Sequence, residues 1–251
     1  MIFLAMLIMG AVIGFVGAGG AGVTIALLTL AFQVPIHTAV AVALAAMTFT
    51  MLSGAYSHFR EREVEVPTGL AMGLGGVMGA FIGANVSNLL PAPFLRTMTA
   101  IMLCASALLL YTKVYQAEWL SRRFHPRQEL LTGGKLYRLG IITGMVNGFL
   151  SGAFGIGAAA FIQITLMVLF GVSLLKSIGT CMMIILPMSA AGGLGYFFTG
   201  HLDLWIFIQT LTGQAIGAWF GAKYTHLAPL PLLRFAIVAT PTIGGLSLLL
   251  M

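Results

Sequence analysis

The sequence predicts an all-α membrane protein of eight hydrophobic segments in two homologous halves, and three observations predict it. Of the 251 residues, 59% are hydrophobic and 7% charged, against roughly 25% charged in an ordinary soluble domain. Runs without an acid, Lys or Arg recur near the length, about 20 residues, that a helix needs to cross a bilayer. A shift of 138 positions lays the second half on the first, so that Phe32 falls on Phe170, Gly54 on Gly192, Pro93 on Pro231 and Arg96 on Arg234.

The first segment, Met1 to Phe32, has no basic start and is too long for the apolar core of a secretory signal, so it is expected to stay in the mature chain. Ile36 to Phe59, Val66 to Leu90 and Phe94 to Thr112 follow, completing a first transmembrane repeat over residues 1–112. Residues 113–138 form a basic linker that carries six of the twelve Lys and Arg residues, with Trp119 and Phe124 among them. That mixture suits the headgroup layer, and anionic lipid explains the net charge of +6 more simply than nucleic acid does. Pro126 is expected to end a helix there. The second repeat, 139–251, holds Leu139 to Phe170, Ser177 to Thr199, Leu204 to Gly221 and Phe235 to Met251. The repeat is plainest in a glycine ladder: Gly75, Gly79 and Gly83 match Gly213, Gly217 and Gly221. Spacing of four puts such glycines on one helix face, where backbones pack closely.

Segments one and five stand apart, each about 30 residues long and interrupted by glycines, Gly17 to Gly22 in one and Gly152 to Gly157 in the other. A break frees N–H and C=O groups that must find partners inside the protein or beside a cavity. Such a segment either crosses with a kink or returns as a hairpin. Basic residues choose between them, because cytoplasmic loops collect Lys and Arg. If every segment crosses, the loops split eight to four; with hairpins they split eleven to one, Arg96 alone on the poorer side. Hairpins leave three crossings per half, so the halves are predicted to be inverted, a recurring plan of secondary transporters.

A helix that starts after a glycine break offers free N–H groups and the positive end of its dipole, which suits an anion. The predicted binding set is therefore Gly19, Gly20, Gly22, Gly155 and Gly157, with the intramembrane polar groups Thr24, Asn147, Ser151, Gln163, Thr180 and Gln214. Each polar group has a plainer reading, as a hydroxyl bonded to its own helix or an amide joining helices. Lys176, His201 and Asp203 stand at segment entrances as candidate gating residues, Asp203 matching Glu65 across the repeat.

The six acids, Glu61, Glu63, Glu65, Glu118, Glu129 and Asp203, all avoid the depth of a span, so no relay carboxylate is predicted. No His or Cys spacing suggests a metal, Gly134-Lys135-Leu136 is not a phosphate loop, and Cys104 and Cys181 are isolated. No cofactor and no catalytic grouping is expected.

The glycine-rich segments one and five, the Leu174 to Thr180 stretch and the turn from Gly195 to Asp203 together resemble the TauE/SafE sulfite exporter family of bacterial membrane proteins. The turn is similar to the family's G-Y-x-x-x-G-x-x-D pattern, and the resemblance covers nearly the whole chain. It implies movement of sulfur oxyanions, sulfonates or similar solutes across the cytoplasmic membrane. Departures are local: no proline follows Gly19-Gly20-Ala21-Gly22, Val42-Ala43 stands where Thr-Ser is usual, and Ala158 and Ala159 interrupt the second glycine run. The expected function is a secondary transporter for a small sulfur-containing anion, with a homodimer left open. A membrane scaffold or assembly factor, in which the glycines only pack helices, is the alternative, and an intramembrane enzyme lacks the clustered groups it needs.

Overall fold

The computed structural model describes residues 1–16, 20–115, 130–225 and 230–250. Every element among them is a helix: α1 (Ile2–Val16), α2 (Ala21–Phe32), α3 (Ile36–Arg60), α4 (Val66–Ser87) and α5 (Ala92–Tyr115), then α6 (Gly134–Phe154), α7 (Ala159–Leu169), α8 (Leu174–Phe198), α9 (Leu204–Thr225) and α10 (Leu230–Leu249). Each long glycine-interrupted segment is thus two helices, α1 with α2 and α6 with α7. Helix α5 runs on through Tyr115 and α6 begins at Gly134, so both reach into the stretch read as linker. Trp119, Arg122, Arg123, Phe124, Pro126 and Arg127 lie outside the described residues.

Four helices, Ile36–Arg60, Val66–Ser87, Ala92–Tyr115 and Leu175–Phe198, are each long and apolar enough to cross a bilayer. Their outward faces are apolar as well: Phe49, Leu74, Leu108 and Leu194 are exposed, as are Trp205 and Trp219 on α9. Water would make such a surface an aggregation hazard, whereas hydrocarbon solvates it.

Local geometry recurs at the spacing of 138. Val34 N–H closes on Leu28 O at 3.0 Å past the end of α2, and Val172 N–H on Leu166 O at 3.0 Å past α7. The residue between is left-handed both times, Gln33 at φ 54° and Gly171 at φ 69°. Helices α3 and α8 end alike, with Glu63 N–H to His58 O and His201 N–H to Tyr196 O, both 3.0 Å, around Arg62 at φ 59° and Gly200 at φ 75°. These are helix stops that satisfy carbonyls left over by the last turn. The start of the short helices matches too, Thr24 N–H to Gly20 O at 3.0 Å and Ile162 N–H to Ala158 O at 2.9 Å.

Glycines fix how the helices run. A β-carbon at Gly75, Gly79 or Gly83 of α4 would stand 2.1 to 2.4 Å from the carbonyl oxygen of Ile141, Met145 or Phe149 of α6. In return Gly144, Gly148 and Gly152 of α6 press on Met72, Gly76 and Ala80. Numbers rise together, so α4 and α6 are parallel and touch backbone to backbone. The same holds for α1 and α9, where Gly213 meets Phe3 and Leu7 and Gly217 meets Leu7 and Ala11. Helix α8 runs with α4, since Gly69 meets Met183 and Gly195 meets Ala84. It runs against α3, since Gly54 meets Met182 and Gly193 meets Ala45. The turns at 61–65 and 170–173 therefore share one end of the bundle, and those at 33–35, 88–91 and 199–203 share the other.

Candidate solute site at the interrupted helices

The second break is fully described. Helix α6 stops at Gly155, left-handed at φ 69° with its N–H on Ser151 O at 2.8 Å, and α7 starts after Ala158, also left-handed at φ 49°. Glycine takes such angles without strain, while Ala158 adopts them at a cost of roughly 1–2 kcal/mol. No side chain caps the first turn of α7, so its N–H groups are left to the surroundings. Those surroundings are apolar here: Gly155 packs against Ile25 of α2 and Val40 of α3, and Gly157 against Met47. The first break is described from Gly20 on; Gly19 lies outside the described residues. Gly20 is buried before α2 with Ile13 against it, and Gly22 lies against Leu103 of α5. The second break thus touches α2 one turn beyond the first.

The predicted polar groups fall into distinct places. Thr24 donates to Gly20 O at 2.9 Å and accepts from Gln214 Nε2 at 2.6 Å, both side chains buried. The Gln214 amide also reaches Met6 Sδ, so one polar clasp joins α1, α2 and α9. Gln163, on α7, accepts a hydrogen bond from Lys113 Nζ of α5. Among the described residues Asn147 bonds its own helix, to Thr143 O at 2.8 Å. The Ser151 hydroxyl, one turn before the break, is buried without a partner.

Thr180 belongs to the end that carries the basic residues, where its hydroxyl accepts Glu65 N–H at 2.8 Å. Lys176 Nζ reaches Glu65 Oε2 at 3.1 Å, and His58 Nδ1 and Glu63 Oε2 are 2.8 Å apart beside them. That is a polar closure joining α3, α4 and α8. At the opposite end His201 and His37 bring their rings to 5.2 Å, and His37 Nε2 lies 3.2 Å from Ser87 O. His201 Nδ1 and both amide atoms of Asn88 are buried there without partners among the described residues. Asp203 is exposed and caps α9, accepting Trp205 and Ile206 N–H at 2.8 and 3.0 Å.

Sequence reading missed Lys113 and the pairing of His37 with His201. Lys113 falls at the start of the linker read from sequence, although it is nine positions before the next basic residue, Arg122, and still follows an apolar span. That isolation was the available signal. Nothing local ties His37 to a residue in the turn at 199–203.

Residues 2–248 match the family model described as sulfite exporter TauE/SafE. The chain belongs to that family. It is 44% identical over 249 residues to the probable membrane transporter protein YdhB of Bacillus subtilis (strain 168), covering 99% of each chain. It is 28% identical over 241 residues to the probable membrane transporter protein YunE of the same organism, covering 89% of this chain and 87% of that one. A third, YjnA, also from Bacillus subtilis (strain 168), is 26% identical over 257 residues, covering 99% and 98%. No solved structure matches the chain. The family and these relatives are transporters and not enzymes, and the TauE/SafE chain described here is a multi-pass membrane transporter.

Proposed function

We propose that this TauE/SafE protein is a secondary carrier for a small sulfur-containing anion, such as sulfite or a sulfonate, held between the two interrupted segments. The observation that carries the reading is the contact of Gly155 with Ile25, which sets one helix break against the helix that starts at the other. Free main-chain N–H groups at the start of α7 and the hydroxyl of Ser151 lie within that region. With Ile25, Val40 and Met47 packed over the break, this conformation is closed around the site. Shifting one short helix away from those side chains opens it.

The carrier works by alternating access between two inverted halves. In support, α8 runs against its counterpart α3 in the glycine contacts, while α4 runs with α6 and α1 with α9. Partner exchange has the same symmetry, α4 packing on α6 as α9 packs on α1. With α6 and α8 parallel and α7 between them, segment five turns back on itself as a hairpin, and segment one does likewise. The end carrying Arg60, Arg62, Lys135, Arg138 and Lys176 faces the cytoplasm by the bias of basic residues. The Lys176–Glu65 pair closes that side and the His37–His201 contact closes the other.

Two measurements test this. Purified protein in liposomes should give saturable flux of labelled sulfite, thiosulfate or a small sulfonate, and no flux of any of them removes the carrier. In a background without Cys104 and Cys181, a cysteine at Leu89 should react with an impermeant thiol reagent added outside intact cells, and one at Ser173 only after the membrane is opened, whereas eight full crossings would put both on one side. Reaction of both from one side removes the inverted arrangement.

A further inference from the structure

We infer that Lys113 supplies the counter-charge for the transported solute, and that it selects monoanions, of the sulfonate or hydrogensulfite class, over dianions such as thiosulfate and sulfate. The inference rests on the carrier reading and names the charge class of its substrate. Lys113 lies in the last turn of α5, where a lysine at a membrane boundary ordinarily extends outward to the headgroups. This one turns inward. Its Nζ donates to Gln163 Oε1 in the middle of α7, one turn past the residue that opens that helix. The same ammonium faces Cys181, whose Sγ lies 3.5 Å from Ala159 O, the first residue of α7. Cys181 is two turns inside α8, and Lys113 itself is half-buried.

Other described cations are differently placed. Lys176 is paired with Glu65, and Arg60, Arg62, Lys135 and Arg138 are exposed. Arg96 stands in the first turns of α5, at the far end of that helix. Among the described residues no carboxylate forms an ion pair with Lys113, whose hydrogen-bond partner is the neutral amide of Gln163. An ionisable group inside a span marks a solute or ion path by default, and a cation held by a neutral dipole keeps a charge that an anion can balance. Gln163 keeps the ammonium in place when no solute is present, and its amide N–H groups serve an oxyanion oxygen once the solute is bound. The start of α7, one turn away, adds its dipole.

Charge balance selects the valence. One ammonium and one monoanion make a neutral complex, whereas a dianion leaves a net negative charge in a region of low dielectric, where uncompensated charge is costly.

The test compares flux of labelled methanesulfonate and thiosulfate in liposomes for the wild-type chain, Lys113→Met and Lys113→Arg. Wild type should favour methanesulfonate. Lys113→Met should lose roughly 100-fold in flux at limiting solute, the scale of losing a buried charged partner. Lys113→Arg should recover most of it, and Lys113→Met should melt no lower than wild type, since it removes a charge from the interior. Should Lys113→Met not fold, Lys113→Gln keeps a donor for Gln163 and is read in its place. Wild-type flux with undiminished flux in the neutral variant, or a wild type that prefers thiosulfate, overturns the role of Lys113 and leaves the carrier standing. A wild type that moves neither solute nor sulfite removes the carrier itself.

Discussion

Replacing Gly79 or Gly148 by leucine is expected to abolish folding of the bundle, read as loss of a monodisperse peak on size-exclusion chromatography. A β-carbon at Gly79 would stand 2.1 Å from Met145 O, and one at Gly148 would stand 2.2 Å from Gly76 O. Both obstacles are backbone, so no rotamer change relieves them and α4 and α6 must move apart as rigid bodies. Ordinary overpacking costs about 1–3 kcal/mol because side chains yield; here the whole contact is lost. Membrane helices have little hydrophobic drive to associate and depend on such close approach. Gly73→Ala is the control, its nearest neighbour being Pro187 Cγ at 3.8 Å, and it should fold and melt near wild type. A well-folded Gly148→Leu protein would show that α4 and α6 do not meet in this way.

Gly155→Val is expected to leave an assembled protein that transports at least about tenfold more slowly, equivalent to about 1.4 kcal/mol on the transport barrier. Two effects combine. The left-handed φ of 69° is strained for any residue with a β-carbon, by roughly 1–2 kcal/mol. The new methyl groups also press on Ile25 and Val40, already 2.8 Å from where the β-carbon would sit. Unlike the backbone contacts of Gly148, these are ends of flexible side chains, so the fold yields and the break changes shape. Gly157→Ala should act in the same direction, with Met47 as the neighbour that must move. Flux in liposomes, normalised to folded protein, measures both, and wild-type flux in Gly155→Val would detach the break from the site.

Much of the fold is legible in the residues because the bilayer leaves few solutions. A run such as Leu204 to Gly221 has to be helical once it is in hydrocarbon, where every main-chain group needs an internal partner. Glycines four apart, as at Gly75, Gly79 and Gly83, announce a face that meets another backbone. They do not say whose, and the partner of α4 proves to be α6 on the far side of the linker. Gly155 and Gly157 mark a break because positive φ favours glycine, while Ala158 shares that conformation with no signal in its side chain. The candidate site was legible as a list of buried polar residues and not as a set of pairs. Thr24 and Gln214 are 190 residues apart and bond directly, whereas Thr180, predicted for the same site, serves the closure at the basic end.

The sequence by itself determined the solvent, the helical class, the two interruptions and the recurring glycines, since each follows from local composition and from what one peptide unit tolerates. Tertiary structure alone decided which polar groups meet: Gln214 with Thr24, Lys113 with Gln163, His37 with His201. Those contacts join helices distant in the chain, and their geometry is set by how backbones slide and cross at glycine faces. No short-range pattern encodes that.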